Sequence, residues 1–384
     1  MTSYDGYAEK ALRDEALTRD ECREILGTPD DRVIELLAAA YKVRERYFGK
    51  TVRLQMLLNA KSGACQEDCG YCSQSAVSTA GIERYGLVSK EQMLDGARRA
   101  TASKAQRYCV VISGRSPLDR EVEEISDAVR AVKKELPIQV CCSLGLLNEQ
   151  QARSLKAAGV DRINHNLNTS EAYHAEICTT HTFQDRLATI RHARAAGLEI
   201  CSGGIIGMGE QDDDVIELAL ALRDVRPDSI PLNMLHPVEG TPLQDCRHLT
   251  PQRCLKIFSL FRFLHPRTEI RVAGGREFNL RSLQPLALYA ADSLFVNGYL
   301  TTPGQLAPDA WKMITDLGFE IEVDYKQAAE NAPQLRSQSL EPLNVLPQYA
   351  SGSSLPAASP REETRLGASG VGGCERGHFE QPVK

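Results

Sequence analysis

Short apolar runs alternate with longer stretches of helical apolar spacing from residue 52 to residue 317, and this alternation predicts a β/α fold. The strand candidates are 52–58, 107–113, 138–144, 161–168, 199–206, 229–235, 269–274 and 293–297. The helical candidates are 89–104, 119–135, 148–158, 183–196, 212–225, 251–265, 279–291 and 308–317. Eight strands, each followed by a helix, are the arithmetic of an α/β protein built as a (β/α)8 TIM-type barrel. The same alternation also permits an open doubly wound sheet. Ahead of it, residues 5–50 read as helical, with Val33, Leu36, Leu37, Tyr41 and Val43 at roughly helical spacing. Beyond residue 333 the chain runs through Ser351-Gly-Ser-Ser-Leu-Pro356 and Gly367-Ala-Ser-Gly-Val-Gly-Gly373. Such segments bury too little apolar surface to offset chain entropy. The expected organisation is an N-terminal helical extension at 1–50, a barrel at 51–325 and a low-complexity, disordered tail at 326–384.

Successive residues of a strand point to opposite faces, so the apolar set of each strand marks its helix-facing side. Tyr108, Val110 and Ile112 face the helices, which turns Arg107 and Cys109 inward. Ile138, Val140, Cys142 and Leu144 do the same for Gln139, Cys141 and Ser143. Ile163 and Leu167 leave Asn164, Asn166 and Asn168 inside, with His165 sharing the outward parity. Ile230, Leu232 and Met234 place Asn233 inside; Ile270 and Val272 place Arg271 inside. Ser202 and Gly204 dilute the pattern at 199–206, but Ile200 facing out puts Cys201 inside. Cys109, Cys141, Cys201 and Arg271 therefore converge on one lumen. Free cysteines are also common small core residues, so that reading stands beside ligation. A buried arginine needs an anionic partner. A cluster with sulfides and thiolates would supply one, and Arg107 would add to the charge balance.

The chemistry concentrates in Cys65-Gln-Glu-Asp-Cys69-Gly-Tyr-Cys72. Three thiolates on one short loop leave one iron of a cuboidal iron–sulfur cluster without a protein ligand, free to take a substrate or cofactor. The alternative is a zinc knuckle with a fourth ligand elsewhere, although zinc sites favour paired CxxC units. The chain carries 12 cysteines and a formal net charge of -6. The charge gives no footprint for nucleic acid. No run approaches membrane-spanning length, and Met1-Thr-Ser-Tyr-Asp-Gly6 lacks the basic-then-apolar pattern of a signal peptide. These features predict a cytoplasmic protein, whose thiols stay reduced and available to metal.

The CxxxCxxC spacing, with Tyr71 just before the third cysteine, resembles the radical S-adenosylmethionine (SAM) superfamily. That resemblance implies a [4Fe–4S] cluster on Cys65, Cys69 and Cys72, with SAM on the open iron and a 5'-deoxyadenosyl radical formed on its cleavage. Further stretches narrow it. Ser62–Ser75, Asn164-His-Asn-Leu-Asn-Thr-Ser170, Cys201–Glu210, Pro231-Leu-Asn-Met-Leu235, Gly240-Thr-Pro-Leu243, Ile270–Glu277 and Leu300-Thr-Thr-Pro303 resemble the biotin synthase family over roughly residues 22–325. In that family a [2Fe–2S] cluster sits deep in the barrel on three cysteines and an arginine. The matching residues here are Cys109, Cys141, Cys201 and Arg271, though parity alone also admits Arg107. The implied reaction inserts sulfur into dethiobiotin to give biotin, with hydrogen abstraction at both carbons and sulfur drawn from the [2Fe–2S] cluster. Such C–H bonds are beyond side-chain acid–base chemistry, so a cofactor must act on them.

The resemblance carries further roles. Gly203 and Gly204 open a GxIxGxxE pattern ending at Glu210 that lets backbone approach the adenine region. Asn166 would bridge the ureido group of dethiobiotin and SAM, since an amide both donates and accepts. Asn233 would contact substrate or satisfy buried backbone. Asn168 stands where many members have an aspartate that holds the SAM ribose, a change worth about 1 kcal/mol of binding. The segment Val110-Val-Ile-Ser-Gly-Arg115 lacks the Gly-Ala-Ala-Trp of some members. Implied partners are flavodoxin or ferredoxin as electron donor, iron–sulfur assembly proteins, and a second copy in a homodimer, with no nucleic acid and no membrane. Cys22, Cys142, Cys178, Cys246 and Cys254 carry no motif and read as structural.

Overall fold

Among the described residues ten strands order the fold: β1 (Thr51–Lys61), β2 (Ala105–Ile112), β3 (Gln139–Ser143), β4 (Arg162–Asn164), β5 (Glu199–Cys201), β6 (Gly204–Ile206), β7 (Ser229–Met234), β8 (Glu269–Val272), β9 (Ser293–Phe295) and β10 (Glu320–Glu322). This computed structural model describes residues 4–323; the tail expected at 326–384 lies outside them. All pairings are parallel and run β1-β2-β3-β4-β5-β7-β8-β9, with β9 returning to β1 through Arg53↔Ser293 and Leu54↔Leu294. β5 and β6 are two halves of one stave, both paired to β7. The result is a closed eight-stave parallel barrel with helices outside, and the open doubly wound sheet is excluded. β10 adds only to the start of β1, at Thr51↔Glu320.

Several of the helices that follow the strands begin at a residue whose side chain caps them. Ser89 with Gln92, Asn148 with Gln151 and Thr182 with Asp185 form reciprocal capping boxes. Each cap is worth about 1 kcal/mol. The helix Asp212–Val225 matches its sequence expectation to the residue. The stretch 279–291 does not form an α-helix. Pro285 removes a donor there, and Arg281–Tyr289 winds as a 3-10 helix instead. The 5–50 extension is three α-helices, Asp5–Leu12, Arg19–Leu26 and Val33–Phe48.

Every residue assigned outward by parity in β2, β3, β7 and β8 is buried in one continuous apolar core between strands and helices, Cys142 included. Cys109, Cys141 and Cys201 are buried but lie outside that core. Two strands depart from expectation. β4 stops at Asn164 rather than 168, and Asn168 sits at φ 73°, a conformation no strand allows. The expected strand 199–206 breaks at Ser202–Gly203. A Cβ on Gly203 would lie 2.0 Å from the Pro231 carbonyl oxygen, so the close approach of this stave to β7 requires glycine.

Candidate active site

The loop after β1 carries Cys65, Cys69 and Cys72 across the mouth of the barrel. Its course is fixed by backbone bonds to distant loops, including Gly70 N–H to Ile177 O at 2.9 Å and Thr79 N–H to Gly240 O at 2.8 Å. The Asp68 carboxylate accepts from the Thr179 N–H at 2.9 Å and the Thr180 N–H at 3.2 Å. All three cysteines line a cavity of about 310 Å³ that continues down to Cys109, Cys141 and Arg271. Burial pushes the Cys72 thiol up to about 11 and raises that of Cys65. Ligation by iron must therefore displace protons.

The lumen holds the second set. Cys109 and Cys141 face each other across β2 and β3 in direct register. The hydrogen bond from Cys109, and then the charges of Arg107, Arg162 and Arg271, hold the Cys141 thiol below its ordinary value despite burial. Arg271 Nη1 lies 3.4 Å from Cys201 Sγ, while its other nitrogens reach Ser229 Oγ at 2.8 Å and Ser293 Oγ at 3.2 Å. The anionic partner that Arg271 was expected to draw from a cluster is supplied within the protein by Glu269, which was not among the expected site residues. Glu269 takes Arg271, Arg162 Nη1 at 3.1 Å, Arg107 Nη1 at 3.6 Å and Gln55 Nε2 at 3.0 Å. Burial would raise its carboxyl, but the three guanidinium groups hold it well below the usual range. The second carboxylate, Glu199, pairs with Arg162 at 2.7 Å but is 46% exposed. Positive charge is thus in excess around the three thiols. Arg107 is 4% exposed, and its Nε and Nη1 have no hydrogen-bond partner among the described residues. An anionic thiolate-bound cluster fits this cradle; three neutral thiols would leave it unbalanced.

Above these lie the residues expected to handle SAM and substrate. Asn166 accepts the Gly203 N–H at 3.1 Å on Oδ1 and lines the cavity. Asn168 donates to the Tyr71 hydroxyl at 2.7 Å, which ties the cluster loop to the turn after β4. Its backbone bonds on both sides to Gly203 and Ile205. Asn233 lines the cavity, yet both ends of its amide serve backbone, donating to Gly204 O at 3.1 Å and accepting Gly274 N–H at 3.0 Å. Glu210 closes the glycine turn by accepting the Gly207 and Met208 N–H groups at 2.7 and 2.8 Å. Gly204 packs against Leu218, 2.4 Å from where a Cβ would stand. His165, given outward parity, lines the same cavity because β4 has already ended; burial keeps its ring neutral.

Cys178 is not a plain structural cysteine. Its Sγ lies 3.6 Å from Cys69 Sγ and 3.3 Å from His181 Nδ1. The hydrogen bond from Cys69, with help from His181 and Thr180, draws its thiol down to about 4, and the same bond raises Cys69. The Cys178-Thr-Thr-His181 spacing was the signal for this pair.

Residues 60–222 match the Radical SAM superfamily, and residues 231–320 match the Biotin and Thiamin Synthesis associated domain. The chain is 50% identical over 320 residues to a biotin synthase of Lysinibacillus sphaericus, covering 83% of this chain and 96% of that protein. It is 51% identical over 322 residues to a biotin synthase of Geobacillus kaustophilus, covering 84% and 97%. Among solved structures, methylornithine synthase superposes with a TM-score of 0.73 at 20% identity, over 85% of this chain and 99% of that one, a likeness of fold.

Proposed function

Because the chain belongs to the biotin synthase family of radical SAM enzymes, we propose that Cys109, Cys141, Cys201 and Arg271 hold a [2Fe–2S] cluster that donates the sulfur. The enzyme is a radical SAM sulfurtransferase that converts dethiobiotin to biotin. SAM and a [4Fe–4S] cluster supply the radical chemistry that no side chain can provide. In this reading Cys65, Cys69 and Cys72 hold the [4Fe–4S] cluster. Asn166 orients SAM and the ureido group, and Asn168, fixed on Tyr71, accepts the ribose. Gly203 and Gly204 keep the backbone close to the adenine. Asn233 acts by holding β6 against the turn at Gly274. The closed barrel and the loop across its mouth exclude water from the reacting carbons.

The observation that carries the proposal is the cradle of three inward thiols under an excess of buried guanidinium, outside the apolar core. Iron and sulfide analysis after anaerobic reconstitution tests it. The wild-type chain should exceed Cys141→Ala by the iron and sulfide of a [2Fe–2S] cluster. Equal contents in two folded proteins would remove the assignment. The electron donor in this reading is flavodoxin or ferredoxin, and the iron–sulfur assembly machinery rebuilds the spent cluster. The working form is a cytoplasmic homodimer.

Two further outcomes follow. Gly203→Ala should lower SAM binding at least tenfold, because its Cβ would force β6 off the Pro231 carbonyl and drag the glycine turn with it. Equilibrium dialysis with SAM checks this, and unchanged binding would show that the turn tolerates the shift. Shortening the chain after residue 335 should leave biotin formation intact. A folded but inactive shortened chain would give residues 336–384 a role in the reaction.

A further inference from the structure

Three ligand-type side chains meet beside the cluster loop in an arrangement that the radical reaction does not use. Cys178 ends the helix Glu171–Ile177, and the loop it starts is bonded to the cluster loop through Asp68 and Gly70. This fixes Cys178 Sγ at 3.6 Å from Cys69 Sγ. His181 follows three residues later, with Nε2 3.9 Å and Nδ1 3.3 Å from Cys178 Sγ. The three ligand atoms lie within 4.8 Å of one another, and all three residues are buried. Zinc–sulfur and zinc–nitrogen bonds at the tetrahedral angle require separations of about 3.8 Å between sulfurs and about 3.6 Å between sulfur and nitrogen. The Cys69 Sγ–Cys178 Sγ and Cys178 Sγ–His181 Nε2 spacings fall within a few tenths of an ångström of these. Glu67 contacts His181 Nδ1 and is itself held by Arg115 Nη1 at 3.0 Å and Thr180 Oγ1 at 2.6 Å. That leaves Nε2 for an ion and reproduces the carboxylate–imidazole pairing by which metal-binding histidines are oriented.

We infer that Cys69, Cys178 and His181 form a three-ligand site for a single thiophilic divalent ion of the zinc type, with the Asp68 carboxylate, 3.1 Å from Cys178 Sγ, beside it. The site shares Cys69 with the proposed [4Fe–4S] cluster. On that reading the two are mutually exclusive, and an ion here holds the chain in a form that cannot complete its radical-SAM cluster. Cys178 and His181 would then decide how readily zinc competes with cluster assembly.

The test uses the full chain freed of metal by chelation, with Co2+ as a visible stand-in for Zn2+. Cys65→Ser/Cys72→Ser leaves Cys69 as the sole thiol of the cluster loop, so binding here does not depend on how the cluster is assigned. The barrel cysteines contribute equally to every variant and cancel. This background should bind one more Co2+ than the same protein with Cys178→Ala added, with the thiolate-to-cobalt absorption of that ion lost. Adding His181→Ala instead should weaken the same ion about tenfold or more. Zn2+ should displace the Co2+ from it. Equal Co2+ content and spectra with and without Cys178→Ala, in proteins with matching circular dichroism, would overturn the site. Should Cys178→Ala fail to fold, His181→Ala decides alone, and unchanged affinity there would also overturn it.

Discussion

Cys65→Ala should abolish SAM cleavage, whereas Cys141→Ala should keep SAM binding and cleavage while losing biotin formation. The separation follows from where the two thiols stand. Cys65 is on the loop across the barrel mouth, with Cys69 and Cys72, and removing it leaves two of the ligands that a site-differentiated [4Fe–4S] cluster needs. Cys141 lies in the lumen, in register with Cys109 and under Arg107, Arg162 and Arg271. On the proposed assignment its loss strikes the sulfur source and leaves the mouth untouched. Quantifying 5'-deoxyadenosine and biotin side by side reads both effects in one assay. Equal loss of deoxyadenosine in the two variants, both folded, would contradict a division of labour between the two cysteine sets.

Glu269→Ala should destabilise the protein by about 3–5 kcal/mol, the usual cost of breaking a buried ion pair by removing one partner. Three guanidinium groups converge on this carboxylate, and Arg271 and Glu269 are each no more than 4% exposed. A loss of this size is a large share of the stability of an ordinary domain. The pH dependence has a definite sign. The folded carboxyl lies well below the ordinary value of 4.5, so its contribution is complete above that value and fades only as pH falls through the depressed one. Denaturant unfolding of wild type, Glu269→Ala and Glu269→Gln at neutral pH measures the effect. A change under about 1 kcal/mol would mean that the arginines find their counter-charge elsewhere.

Why Glu269 escaped the sequence reading is instructive. It sits two residues before Arg271, so strand alternation gives both the same inward face, and the parity argument applied to Arg271 would have found it. Elsewhere the same alternation worked because it is local. In β2, β3, β7 and β8 the apolar set marks the helix side without knowledge of any neighbour, and Cys109, Cys141 and Arg271 fall inside the barrel as it requires. Where regular structure stops, the strand was shorter than expected: β4 ends at Asn164 and Asn168 turns through a left-handed conformation to meet Tyr71, yet Asn164, Asn166 and Asn168 all line the cavity, while the outward parity given to His165 fails. Cys178 meets Cys69 across 109 positions of sequence, and only the folded loops bring them together. The short Cys-x-x-His spacing could have raised the possibility, but not the partner. Apolar spacing placed helix starts such as those at Lys90 and Asp212 to within a residue, while Pro285 overrode the apolar periodicity of 279–291.

In the proposed function one chain joins radical generation at the mouth of the barrel to sulfur delivery from its lumen. The most direct test is anaerobic reconstitution with iron and sulfide, followed by SAM, a reductant and dethiobiotin, with iron, sulfide, 5'-deoxyadenosine and biotin measured together. The account predicts biotin formed with matching loss of the [2Fe–2S] cluster. Deoxyadenosine without biotin, from protein carrying both clusters, would contradict it.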